Sequence, residues 1–162
     1  MIMAAKLPIT PKGYKAVQDE LDQLIKIDRE ELKIILEEAR ALGDLKENAE
    51  YHSAKEKQAL QEGRISHLQA IVATSQIINV AEIASETIVF GATVTLVDVE
   101  KDKIVKYQIV GQIESDKNKG RISYSSPLGK ALIGKEEGDT VIVKAPKGDV
   151  EYEVESFEFS ET

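Results

Sequence analysis

Gly43-Asp44-Leu45-Lys46-Glu47-Asn48-Ala49-Glu50-Tyr51 joins two long, highly charged stretches of helical character. Helices joined by so short a turn run antiparallel, and the turn becomes the far end of a rod. Upstream, Thr10-Pro11 is a helix-start signal, with threonine as N-cap and proline at the first helical position. Tyr14, Val17, Leu21 and Leu24 then recur at spacings of three and four, and Ile35, Ala39 and Leu42 resume the seam. Asp28 and Glu31 fall where a strict heptad wants apolar residues, and Leu32 shifts the phase, as in a stuttered coiled coil. The return stretch, about Leu45 to Ile78, offers Ala54, Ile65, Leu68 and Val72 as its seam.

Near residue 80 the pattern changes to period two with β-branched residues. Strands are expected over residues 89–97, 104–110, 121–124, 140–144 and 150–154, with one short helix between Pro127 and Gly134. The expected class is α+β: a helical hairpin over residues 1–79, then a small, strongly bent antiparallel sheet with one helix over 80–162.

The 162 residues carry a net charge of −8 and contain no cysteine. Disulfides and thiolate metal sites are excluded, in keeping with a reducing, cytoplasmic setting. No stretch reaches the roughly 18 apolar residues of a membrane span. Residues 1–80 hold 11 basic and 13 acidic side chains, and residues 81–162 hold 10 and 16. So acidic a chain does not wrap bare duplex DNA, because that affinity comes from lysine and arginine on phosphates. The acidic second half suits a protein partner.

Two readings compete for Asp44 and Glu47. Three residues apart, they match a capping box at the start of the second helix. They also match the one or two carboxylates that a protein commonly gives magnesium, which keeps water and phosphate as its remaining ligands. Such a pair would complete a site supplied by another protein and help place a water for attack on a phosphodiester. Arg40, Lys46, Lys55 and Lys57 could steer the turn toward an anionic transcript, or pair with helix neighbours such as Glu37 and Glu50. His52 and His67 are isolated and read as solvated or packed side chains.

Gly43 to His52 resembles the tip signature of bacterial transcript-cleavage factors of the GreA/GreB family. The resemblance begins at Ile9-Thr10-Pro11-Lys12-Gly13, continues through Glu62-Gly63-Arg64-Ile65 and Val89-Phe90-Gly91-Ala92-Thr93-Val94, and ends at 126–135, Ser126-Pro127-Leu128-Gly129-Lys130 onward. The tip looks more like the GreA branch. This resemblance implies an antiparallel coiled coil followed by an FKBP-like domain that docks on the rim of the secondary channel of RNA polymerase. It implies that Asp44 and Glu47 help the polymerase hold a magnesium ion and cleave a backtracked nascent RNA 3′ end. Asn48 and Tyr51 would support the tip, and Arg40, Lys46 and Lys55 would contact RNA or channel wall. Ser126 and Pro127 would take part in docking. The chain would then be an accessory factor rather than a complete enzyme. Three rivals stay open: an inhibitory channel regulator, an FKBP-like prolyl isomerase with a coiled-coil handle, and a plain coiled-coil adaptor.

Overall fold

The computed structural model describes residues 6–160. Contacts divide these into two compact units, one over Tyr14–Ser75 and one formed by residues 6–13 with 76–160. Residues 6–13 group with the sheet-bearing unit through strand β1 (Leu7–Ile9), which pairs with β2 (Ser75–Ile77). The Ile78 N–H also donates to the Ile9 carbonyl.

The first unit is a helical hairpin. Its outgoing arm contains α1 (Pro11–Gln23) from Tyr14 onward, a π-helical turn over Leu24–Asp28, and α2 (Arg29–Ala41). Thr10 caps α1 by accepting from the Gly13 N–H at 3.0 Å. The return arm is α3 (Ala49–Thr74), whose 26 residues extend about 39 Å at 1.5 Å per residue. Antiparallel pairing is visible in two Arg–Glu forks, Arg64 on Glu20 and Arg29 on Glu62, with N–O distances of 2.8–3.0 Å. Both forks are substantially exposed, so they set register more than they stabilise.

The seam of the hairpin departs from the sequence expectation at Ile35 and Leu42, while Ala39 keeps its expected place. Leu32, Leu36 and Ala39 are buried, whereas Ile35 is 46% and Leu42 69% exposed. Continuing the Val17–Leu21–Leu24 heptad gives 31, 35 and 38, and the buried positions are each one residue later. The π turn explains this, because it accommodates one residue more than an α turn and so advances the phase by one position. The break at Asp28 is therefore a one-residue bulge. On the return arm Ala54, Ile65 and Leu68 are buried as expected, and Val72 is half-buried.

Deleting exposed Lys26 from the π turn should leave the later seam in heptad phase. Its expected effect is below about 1 kcal/mol. Deleting Lys33 instead rotates everything beyond it by about 100° and should cost about 3 kcal/mol or more by pulling Leu36 off the seam. Helical ellipticity followed through urea unfolding distinguishes the two.

The second unit holds a five-stranded sheet in the order β5-β4-β3-β7-β6. The strands are β3 (Thr93–Asp98), β4 (Lys103–Val110), β5 (Arg121–Ser123), β6 (Thr140–Ala145) and β7 (Gly148–Glu158). Helix α4 (Pro127–Leu132) lies between β5 and β6. The antiparallel expectation fails for one pair: β4 and β5 run parallel. The connection from Gly111 to Gly120, through two short 3-10 turns, carries the chain back so that β5 starts beside Gln108. A bulge in the β3–β7 pairing at Thr95/Leu96 bends the sheet. The first expected strand also begins later, at Thr93, because Val89–Ala92 forms a hydrogen-bonded turn. Val94, Leu96, Ile109, Leu132 and Val154 are completely buried and form the centre of the core.

Candidate functional site

The turn between α2 and α3 begins at Gly43, whose φ of +123° lies in the region that favours glycine. A Cβ there would meet no atom within 4 Å, so backbone conformation rather than space calls for glycine. The next structural requirement is a cap for α3, and Asn48 supplies it. Its Oδ1 accepts from the Tyr51 N–H at 3.0 Å. Its amide also donates across to the Ala39 carbonyl at 2.5 Å. One side chain thus starts the return helix and ties it to the last turn of α2.

This assignment corrects the capping-box reading of the acids. Asp44 lies four residues before the true N-cap, and its Oδ1 accepts only from the Lys46 N–H at 2.9 Å, closing a local turn. Glu47 enters no hydrogen bond or ion pair among the described residues, and both acids are exposed. Three of their four carboxylate oxygens therefore have no partner among the described residues. The helix cap and the acidic pair are separate parts.

Below the turn, Tyr51 packs on a cluster of Leu32, Leu36 and Ala54. The Arg40 guanidinium carbon stands 5.8 Å from the centre of the Tyr51 ring, a cation–π distance. His52 meets Tyr51 edge to face at 5.8 Å, and its Nε2 is 3.1 Å from the Lys46 carbonyl. His52 thus fits its reading as a solvated or packed side chain. Spacing did not name its partner, which it meets because it lies one helical turn after the cap and reaches back over the preceding loop.

Arg40, Lys46, Asn48 and Tyr51 are thus gathered at the turn. Lys55 is not held there: it lies about 10 Å along α3 from the cap and donates to Gln58. Ser126 and Pro127 belong to the other unit. The Ser126 hydroxyl caps α4 by accepting from the Gly129 N–H at 3.1 Å, and it donates to the Ser123 carbonyl at 2.6 Å. Pro127 is exposed at the first helical position.

The acids offer hard oxygen donors of the kind magnesium takes, which fits the cation expected at this position. Among the described residues no group of three potential ligands could hold a metal ion. Two free carboxylates fit a share in a site completed elsewhere. Replacing Asn48 with Ala should cost about 1–2 kcal/mol, since it removes the cap and the bond to Ala39 together. Thermal unfolding of the full chain measures that loss.

Two family models cover almost all of the chain. "Transcription elongation factor, N-terminal" matches residues 7–77, and "Transcription elongation factor, GreA/GreB, C-term" matches residues 83–159. The chain is 50% identical over 155 residues to transcription elongation factor GreA of Xylella fastidiosa strain 9a5c, covering 95% of this chain and 98% of that protein. It is 47% identical over 156 residues to GreA of Anaeromyxobacter sp. strain K, covering 96% and 94%. Among solved structures, GreA factor homolog 1 of Thermus thermophilus aligns at 28% identity and a TM-score of 0.44, covering 94% of this chain and 99% of that one. No helix among the described residues is long and apolar enough to cross a membrane.

Proposed function

Starting from the fact that this chain belongs to the GreA/GreB family of transcription elongation factors, we propose that it rescues arrested RNA polymerase by stimulating cleavage of the backtracked RNA 3′ end. In this reading the hairpin is an antiparallel coiled coil that enters the secondary channel, and the bent sheet with α4 is an FKBP-like docking domain. The Ser126–Pro127 corner, exposed at Pro127, takes part in docking at the channel rim. The observation that carries the proposal is the release of Asp44 and Glu47 from capping. Acids that Asn48 has made unnecessary for folding are available to the partner's chemistry.

Asp44 and Glu47 would share a magnesium ion with the polymerase. When bound, that ion supplies Lewis-acid stabilisation of developing oxyanion charge and acidifies water. This chain's part is positioning. Its carboxylates donate oxygen, and either can accept a hydrogen bond from water or hold a proton taken from it. Gly43, Asn48 and His52 fix the loop that bears them, which limits the entropy lost when the acids engage. Lys46 and Arg40 present positive charge toward RNA or channel wall, with the Arg40 guanidinium steadied over Tyr51. Hydrolysis belongs to the polymerase.

Stalled, backtracked polymerase carrying 3′-labelled transcript tests this reading. The full chain should accelerate release of short 3′ fragments in a magnesium-dependent way. Unchanged or slower release would favour an inhibitory channel regulator. The prolyl isomerase reading gains no support from the cavity of the sheet unit lined by Thr93, Gln108 and Arg121, whose lining contains no aromatic side chain.

A further inference from the structure

Basic side chains outnumber acidic ones around one cavity of the acidic sheet unit. Residues 81–162 carry 10 basic and 16 acidic side chains, yet a cavity of about 580 Å³ in this unit is lined by Lys12, Lys106, Lys119 and Arg121 against Glu114 and Glu158. Glu114 is already engaged, and Glu158 makes only a long, exposed pair. Glu114 accepts from the Thr10 N–H at 3.1 Å, from the Gly111 N–H at 2.9 Å and from the Thr10 hydroxyl. Glu158 lies 3.8 Å from the Lys106 ammonium. Arg121 forms no salt bridge among the described residues.

Sheet register builds this lining. Thr93 on β3 stands opposite Gln108 on β4, and Gln108 stands opposite Arg121 on β5. All three line the cavity in one row across three strands. The next residues of each strand, Val94, Ile109 and Ile122, alternate to the other face and enter the core. Two polar atoms of the row, Thr93 Oγ1 and Arg121 Nε, are buried without a hydrogen-bond partner among the described residues. A buried donor left unpaired costs about 1–3 kcal/mol. An acceptor oxygen that reached these atoms as the two side chains turned toward the cavity would recover that cost.

We propose that this cavity binds a compact polyphosphate anion, such as pyrophosphate or the phosphate chain of a nucleotide, between the Thr93–Gln108–Arg121 row and the ammonium groups of Lys106 and Lys119. A guanidinium matches phosphate oxygens through paired N–H donors, and lysines add point charge. The volume lies within the usual range for small-ligand pockets, roughly 300–1,000 Å³. Without an aromatic side chain in the lining, recognition rests on phosphates and not on a stacked base. A long polyanion such as RNA would run onto the surrounding acidic surface, whereas screening within about 8 Å shields a compact anion from it.

Isothermal titration of the full chain with pyrophosphate, at low and at raised salt, tests the site. Saturable binding that weakens with salt is expected. Arg121→Gln should weaken it by about tenfold, the worth of one charge-assisted pair. Because Arg121 is partly buried, exposed Lys119→Gln provides a second reading that does not depend on refolding, with an expected loss of about threefold. Absence of saturable heat, or affinity unchanged in both variants, overturns the proposal. So does tight binding of a single-stranded RNA oligonucleotide that pyrophosphate cannot displace. Neither result bears on transcript cleavage, which is read separately.

Discussion

Asp44→Asn or Glu47→Gln should lower factor-stimulated transcript cleavage by about two orders of magnitude or more, the scale of losing a group that acts on the reacting centre. Stability and polymerase affinity should stay within about 0.5 kcal/mol of the parent, because the only bond of either acid among the described residues is that from the Lys46 N–H to Asp44. Asparagine retains an oxygen that can accept this bond. The measurement pairs 3′-fragment release from backtracked complexes with equilibrium unfolding of the free chain. A capping role would give the opposite outcome, lost stability with residual cleavage. Full cleavage by both variants would remove the acids from the chemistry.

Leu36→Ala should produce the largest loss of folding stability in the tip region, about 2–4 kcal/mol for a buried leucine truncated under Tyr51. Ile35→Ala, one position away, should cost about 1 kcal/mol or less, because its side chain is about half exposed. Urea unfolding followed by helical ellipticity gives both numbers. Cleavage should fall severalfold in the Leu36 variant, since a loosened platform places the acids less reproducibly. Equal losses for the two variants would contradict the one-residue phase advance at the π turn.

Much of this was legible from residue spacing. Thr10-Pro11 marked the start of α1, and Ala54, Ile65 and Leu68 marked the buried stripe of α3, because local chemistry and 3.6-residue periodicity decide both. The strands were legible for the same reason, as β-branched runs between turn clusters. Ile35 and Leu42 misled because a π turn is a backbone event with no strong sequence signature, and one extra residue moves every later side chain to a new face. Reading Asp44 as the helix cap failed because Asp44 and Asn48 are both good caps. The choice was made by the cross-hairpin bond from Asn48 to Ala39, a contact nine residues apart that local rules do not see. The parallel β4–β5 pairing and the Thr93–Gln108–Arg121 row depend on long-range register, which no short window of sequence contains.

Because Asn48 and not the acids caps the return helix, a disarmed copy of the chain is a competitor and not merely an absence. Mixed with intact copies, it would fill the same berth on the polymerase and return nothing. Activity would then fall in proportion to its share, the behaviour of a dominant-negative allele.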